Sequence, residues 1–144
     1  MDYNELAVEL HSEIRALHAV KLLESFNEAE QGEAFVLQFI THKNRVVLPG
    51  EIRQKMKVSS ARIAQILNSL ESKGLITRRI DEKDRRNILV TITQEGSDLV
   101  KRIKCQLVQR AADLLEMLGE KDAREYVRIT SKLVELASIR RETE

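Results

Sequence analysis

We predict a mainly α (α+β) fold, a winged helix-turn-helix with a two-stranded wing, flanked by long N- and C-terminal dimerisation helices. Three observations lead to this prediction. Apolar residues recur at helical spacing near both ends of the chain. In the middle, a short helix that begins at a Pro is followed by a helix with a Ser cap. Two runs of strand-forming residues then enclose a charged segment, as in a β-hairpin.

The length of 144 residues is that of one domain. We expect residues 1–144 to form a single domain, with a winged core at about 34–95 and dimerisation helices at about 3–25 and 97–141. The single Cys can form no internal disulfide, and no apolar run approaches the roughly 18 residues of a membrane span. We therefore expect a cytoplasmic protein without a membrane partner.

The net charge of +1 hides a basic middle segment. Residues 1–41 hold two Lys or Arg against eight Asp or Glu, residues 42–95 hold twelve against six, and residues 96–144 hold ten against nine. A basic segment inside a helical frame is typical of a nucleic-acid-binding module. A solvated surface with uneven charge is the alternative interpretation.

The first third of the chain predicts two helices. The apolar stripe of the first recurs at spacings of four, four and three, and consists of Leu6, Leu10, Ile14 and Leu17. It predicts a long amphipathic helix over about residues 3–25, followed by a break at 27–32. The nearly all-apolar run 34–40 predicts a buried helix, in which Phe35 and Phe39 stand one turn apart.

A helix-turn-helix follows. Pro49 suits the first position of a short helix over 49–56, because that position does not use its N–H. Ser59 offers a hydroxyl cap for a second helix over 59–73, and Gly74 marks its end. The inward stripe of this second helix consists of Ile63, Ile66, Leu67 and Leu70.

The wing and two helices complete the chain. Residues 75–80 and 88–93 are rich in strand formers and predict an antiparallel hairpin whose polar tip is 81–87. Thr93 can cap a helix that reaches about residue 118, and 119–122 predicts a turn. The last helix is expected to end near Arg141, and its stripe consists of Tyr126, Ile129, Leu133, Leu136 and Ile139.

The second helix of the pair can enter the DNA major groove if its outward side chains are short, polar or basic. Arg suits guanine, Gln suits adenine, and hydroxyls at a helix start can meet a phosphate. Long cations at the wing tip suit a narrow minor groove. The residues expected to contact DNA are Ser59, Ser60, Ala61, Arg62, Gln65, Asn68, Ser69, Arg78, Lys83, Arg85 and Arg86. The sequence leaves open which of Arg85 and Arg86 enters the groove.

Four segments resemble the successive signature segments of the MarR family of bacterial transcription regulators. They are Val58-Ser59, the run from Leu70 to Arg78, the acidic and basic run from Asp81 to Arg86, and the run from Val90 to Gly96. The resemblance is dense over residues 46–96, whereas the flanking helices agree in number and length but share little specific sequence. An Asp-Arg-Arg wing followed by a Thr-x-x-Gly helix start is more specific than a generic helix-turn-helix.

The resemblance implies a homodimer joined through its terminal helices, with one winged region of each subunit on a palindromic operator of double-stranded DNA. It also implies a ligand-responsive repressor whose DNA affinity is lowered by a small effector, often phenolic or lipophilic, or by an oxidant or a metal. By the same resemblance Asp84 is a structural residue of the wing, holding an Arg side chain or loop amides.

Other classes of function have weaker support. We expect no enzyme, because the chain has no Gly-rich phosphate loop, His-Glu-x-x-His or nucleophile elbow. No cofactor or metal site is expected, since His11, His18 and His42 form no set of metal-ligand spacing and Cys105 is a lone thiol. The alternative is a helical dimeric adaptor that uses the basic hairpin on a protein or membrane surface.

Overall fold

The computed structural model describes residues 2–19 and 28–142, which form six helices and one two-stranded antiparallel sheet. The elements in chain order are α1 Tyr3–Ala19, α2 Glu28–Lys43, α3 Pro49–Met56, α4 Ser60–Ser72, β1 Ile76–Ile80, β2 Ile88–Ile92, α5 Gln94–Leu118 and α6 Glu120–Glu142. The order and the mainly helical winged fold confirm the predicted fold class. None of the helices in these two ranges is long and apolar enough to cross a membrane.

The described chain divides into two compact units, and the second of the two boundaries along the chain falls within α5. One unit comprises Glu24–Cys105 and contains the helix-turn-helix and the wing. The other comprises Met1–Leu23 with Gln106–Glu144, and contains α1, the end of α5 and α6. The interpretation of the whole chain as a single domain stays a prediction.

One hydrophobic core holds the winged unit together. Every element from α2 to β2 contributes to it, and its fully or nearly fully buried residues are Val36, Leu37, Ile40, Val47, Ile52, Ile63, Ile66, Leu67, Leu70, Ile76 and Val90. Burying an aliphatic side chain of this size contributes roughly 1.5–3 kcal/mol. The predicted inward stripe of α4 is therefore confirmed in full, and it fixes which face of α4 is turned outward.

Helix α2 begins earlier than the sequence predicted. The break expected at 27–32 is wrong for residues 28–32, which are helical; Asn27 lies outside the described residues. The physical reason is a close approach of two helices, because a Cβ at Gly32 would lie only 3.2 Å from Cδ1 of Ile66 on α4. Tertiary packing here overrides the low helix propensity of Gly. The Phe35 and Phe39 rings stack at 6.3 Å between centroids, which confirms the predicted contact.

Local backbone and side-chain features fix where α3 begins and ends and where α4 begins. The N–H of Leu48 donates to Glu51 at 2.8 Å and begins α3, with Pro49 at the first helical position as predicted. Lys57 ends α3 in the left-handed region at φ 56°. The hydroxyl of Ser59 then accepts from the N–H of Arg62 at 3.1 Å, which confirms the predicted cap.

The wing is the hairpin that the sequence predicted, one residue shorter at one end of each strand. Strand β1 pairs with β2 in the register Ile76 with Ile92 through Ile80 with Ile88. Val47 forms a β-bridge with Val90 that the sequence did not reveal. The N–H of Val47 donates to the carbonyl of Val90 at 3.1 Å, and the N–H of Val90 donates to the carbonyl of Val47 at 2.9 Å. The loop before α3 is thereby attached to the wing.

Thr93 joins the wing, the end of α4 and the start of α5. Its hydroxyl donates to the carbonyl of Gly74 at 2.7 Å and accepts from the N–H of Gly96 at 3.1 Å, which confirms the predicted cap. Its own N–H donates to the carbonyl of Leu75 at 3.0 Å. A Cβ at Gly96 would overlap that carbonyl oxygen, so the close approach requires Gly. The φ of Gly74 is +72°, as a helix-ending Gly requires.

The second unit consists of long helices. Helix α1 is described over Tyr3–Ala19, and the remainder of the predicted 3–25 helix lies outside the described residues. The predicted turn at 119–122 is shorter than expected, because α6 already begins at Glu120 and only Gly119, at φ +78°, separates it from α5. Helix α6 reaches Glu142, one residue past the predicted end.

Candidate nucleic-acid interface

Helix α4 presents a polar outward face to solvent. Ser60, Ala61, Gln65 and Asn68 are exposed, as is the capping Ser59. The stripe of α4 buried in the core faces the other way, so these five side chains lie on the surface that a groove of DNA would meet. Arg62 and Ser69, which the sequence also placed on this outward face, are half-buried.

The start of α4 also carries cations that sequence reasoning missed. Nη1 of Arg53 on α3 lies 3.5 Å from Oγ of Ser60, which places a guanidinium beside the first turn of α4. Lys55 and Lys57 are exposed on the same short segment. Free N–H groups and the helix dipole already favour an anion at a helix start, and these charges add to that preference. The available signal was the three cations at alternate positions 53, 55 and 57.

Arg62 lies over the N-terminal part of α2. A Cβ at Gly32 would be 3.8 Å from Nη2 of Arg62, so this side chain is folded against the helix pair. Beside it is an open cavity of about 520 Å³ lined by Gln31, Gly32, Phe35, Lys55, Met56, Val58 and Arg62. Its lining combines two cations with apolar and aromatic side chains.

Ser69 contacts α2 because its hydroxyl donates to Oε1 of Glu33 at 2.6 Å. Lys73 donates to the other carboxylate oxygen at 2.6 Å. Burial raises the pKa of Glu33, but the hydrogen bonds from Lys73 and Ser69 and the charge of Lys73 together bring it below its ordinary value. This ion pair links the C-terminal half of α4 to α2. The Ser69 hydroxyl, which the sequence predicted to contact DNA, therefore already donates its hydrogen to a residue of its own chain.

Arg78 connects β1 with α4. Its Nε and Nη2 each donate to one carboxylate oxygen of Glu71 at 3.1 Å, and Nη2 also donates to Oδ1 of Asn68 at 2.7 Å. These hydrogen bonds hold the pKa of Glu71 below its usual range. Arg79, next along β1, is exposed, which agrees with the predicted alternation of the two side chains.

The wing tip carries one paired and two unpaired cations. Asp84 accepts hydrogen bonds from Nε and Nη2 of Arg86 at 3.0 and 3.2 Å, and from its backbone N–H at 3.2 Å. Hydrogen bonds from Arg86 hold the pKa of Asp84 below its usual range. Lys83 and Arg85 are exposed, and within residues 2–19 and 28–142 neither side chain has a hydrogen-bond or ion-pair partner.

The candidate metal ligands and the thiol are dispersed over the described residues. They contain no group of three or more His, Cys, Asp or Glu that could hold a metal ion. Cys105 is exposed on α5. The side chain of His18 lies outside the described residues.

Comparisons with known proteins agree with this geometry. A family model described as MarR family matches residues 31–87, which span the helix-turn-helix and most of the wing. The transcriptional repressor MdtR of Bacillus subtilis (strain 168) is 29% identical over 119 residues, covering 81% of this chain and 76% of MdtR. The uncharacterized regulator YdgJ of the same organism is 28% identical over 95 residues, which cover 66% of this chain and 56% of YdgJ.

Similarity to solved structures extends beyond the matched segment. The crystal structure of the YusO protein from Bacillus subtilis superimposes with a TM-score of 0.76 at 25% identity, and the match covers 94% of this chain and 99% of YusO. MdtR and YdgJ are named as HTH-type transcriptional regulators, not enzymes, which agrees with the prediction that this chain is not an enzyme.

Proposed function

We propose that the chain is a sequence-specific DNA-binding transcriptional regulator of the MarR family, whose model matches its winged helix-turn-helix core over residues 31–87. One observation carries the proposal. A single compact unit presents the exposed polar face of α4, cations beside its start and a cationic wing tip. A duplex offers a major groove for the helix and an adjacent minor groove for the wing.

Helix α4 is proposed to lie in the major groove. Gln65 and Asn68 are exposed and long enough to reach base edges, and Ala61 on the same face can contact a thymine methyl. Ser60 with Arg53 is placed to bind a backbone phosphate at the helix start. Arg62 is half-buried and its guanidinium lies over α2, so we assign it a weaker role in base reading than Gln65.

Arg86 is proposed to enter the minor groove, and Lys83 and Arg85 to contact the flanking phosphates. Asp84 restrains the Arg86 guanidinium before DNA binds, which lowers the entropy cost of inserting it. A narrow minor groove has strong negative potential, and the unused N–H groups of Arg86 can meet acceptors on its floor.

The active species is proposed to be a cytoplasmic homodimer that binds a palindromic operator and represses transcription until a small effector releases it. The repressor assignment is supported by the name of MdtR. The effector is supported by the family resemblance, and we propose that it binds in the open cavity beside Arg62. An amphipathic anion would fit the two cations and the aromatic ring of that cavity.

Selection from random duplexes, followed by binding measurements on the selected sequence, tests this function. Two subunits that neutralise roughly 6–10 phosphates should lose about three to five orders of magnitude in affinity between 50 and 200 mM salt. Arg86→Ala should weaken binding to operator and to random DNA with little change in melting temperature, because the side chain is exposed.

Arg124→Ala is the matched control, since Arg124 is also an exposed Arg paired with a carboxylate, but on α6. It should leave DNA affinity unchanged. DNA binding that is insensitive to salt would favour the adaptor alternative. An Arg86→Ala variant that binds like the wild type would instead contradict the minor-groove role proposed for Arg86.

A further inference from the structure

The guanidinium of Arg78 is shared between two residues of α4. Its Nε and Nη2 donate to the two carboxylate oxygens of Glu71, each at 3.1 Å. Nη2 donates its second hydrogen to Oδ1 of Asn68 at 2.7 Å. The side chain of Arg78 is only 25% exposed. Because two of the three guanidinium nitrogens already donate within the chain and the side chain is mostly covered, few N–H groups of Arg78 remain for a phosphate.

The contact determines how Asn68 presents its carboxamide. An Arg side chain has only donors, so Asn68 must turn its oxygen toward Arg78. The amide nitrogen, with its two N–H donors, is then directed away from Arg78. Asn68 is exposed and lies on the same face of α4 as Ala61 and Gln65.

We propose that Arg78 is a positioning residue that fixes Asn68 as a hydrogen-bond donor, so that α4 selects an acceptor edge, such as guanine N7 and O6, at one base pair of the operator. The inference rests on the proposed function, because it requires α4 to lie in the major groove.

The base preference follows from the chemistry of the amide. An unrestrained Asn binds adenine with both of its groups, accepting from N6 and donating to N7. With its oxygen held by Arg78, Asn68 meets N7 with a donor but offers the adenine amino group no well-placed acceptor. Guanine presents two acceptors in the same place and suits a donor better. The amino group of cytosine is disfavoured for the same reason.

The test compares wild type, Asn68→Ala, Arg78→Lys and Arg79→Lys on the selected operator and on duplexes carrying each base at each position. Arg78→Lys keeps the positive charge but loses the fork that holds Glu71 and Asn68. Arg79→Lys is the matched control, because Arg79 is exposed on the neighbouring position of β1 and has no hydrogen-bond or ion-pair partner among the described residues. Salt slopes and melting temperatures are measured on the same four proteins.

We expect Asn68→Ala to lose roughly tenfold in discrimination at one base pair. Arg78→Lys should lose discrimination at that same pair and there gain relative affinity for adenine, with its salt slope and its affinity for random DNA unchanged. Arg79→Lys should keep the wild-type preference. A fifth protein that carries both Asn68→Ala and Arg78→Lys should discriminate no worse than Asn68→Ala, because both changes act through one side chain.

Three results would overturn the inference while leaving the proposed function intact. One is sequence preference unaltered in Arg78→Lys. Another is a uniform loss of affinity in that variant with a shallower salt slope, which would indicate a phosphate contact. The third is a loss of discrimination at a base pair that Asn68→Ala does not affect. A wild-type protein that binds no duplex would instead refute the proposed function.

Discussion

At the scale of single residues, some of the side chains that the sequence predicted to face DNA have partners within the chain, and others do not. Arg62, Ser69 and Arg78 were all expected to face DNA, yet each lies against, or is bonded to, another residue of its own chain. Helical periodicity gives the direction of a side chain but not the identity of what it meets across the fold. Sequence patterns could therefore predict the face of α4 but not which of its polar side chains are already occupied.

Gly96 shows how a single residue can hold a joint. We expect Gly96→Ala to destabilise the protein by at least about 1–3 kcal/mol, because the added Cβ would overlap the Leu75 carbonyl oxygen and lie 2.7 Å from Cγ1 of Ile92. Denaturant unfolding measures the change. Gly50→Ala is the matched control: a Cβ there meets nothing within 4 Å, so its stability should stay the same or rise slightly. Equal stabilities of the two variants would contradict this account of the joint.

At the scale of secondary-structure elements, the sequence predicted most of the winged unit. The stripe of α4, the Ser59 and Thr93 caps and the hairpin all depend on local chemistry that a sequence displays. The helical Gly32 and the bridge from Val47 to Val90 depend instead on contacts between elements that are distant in sequence. Local signals cannot reveal such contacts, and this is why the start of α2 and the attachment of the loop before α3 were missed.

The link between α2 and α4 predicts a pH dependence. The folded-state pKa of Glu33 is below its ordinary value of 4.5, so its carboxylate contributes stability above about that pH and loses it as the pH falls through the folded pKa. Glu33→Gln should lower stability at pH 7 by about 1 kcal/mol, since it removes the charge from two hydrogen bonds. Its melting temperature should then fall less than that of wild type between pH 6 and pH 3.

Glu82→Gln is the control for the loss of a carboxylate, because Glu82 is exposed on the wing and makes no side-chain hydrogen bond or ion pair in the described part of the chain. Its melting temperature should follow the wild-type pH curve. Parallel curves for wild type and Glu33→Gln would show that the ion pair contributes nothing to acid sensitivity.

At the scale of the whole molecule, the two compact units differ in where their apolar residues lie. The winged unit buries most of its large aliphatic side chains in a core, and its exposed ones, Ile80 and Ile88, lie at the tip end of the wing strands. The helical unit leaves many of them exposed, and those with at least two fifths of their surface accessible are Tyr3, Leu6, Val8, Leu10, Ile14, Val108, Met117, Leu118, Tyr126, Val127, Ile129, Leu133, Val134, Leu136 and Ile139. Exposed apolar surface of this extent marks an interaction site. In a symmetric dimer the same surface of two identical chains packs together, so we propose that a second copy of this chain covers it.

Leu133→Glu should therefore convert the proposed dimer into a monomer. Leu133 is 61% exposed in the single chain and lies within the apolar stripe of α6, so a carboxylate there would be buried without a partner at a dimer interface. Ser131→Glu adds the same charge about 200° around the helix and should remain dimeric. Sedimentation at micromolar concentration distinguishes the two states.

Because a monomer places only one winged unit on DNA, Leu133→Glu should also lose most of its operator affinity while keeping the wild-type fold by circular dichroism. A wild-type protein that sediments at 16.6 kDa, or a Leu133→Glu variant that stays dimeric, would assign these exposed helices to another partner.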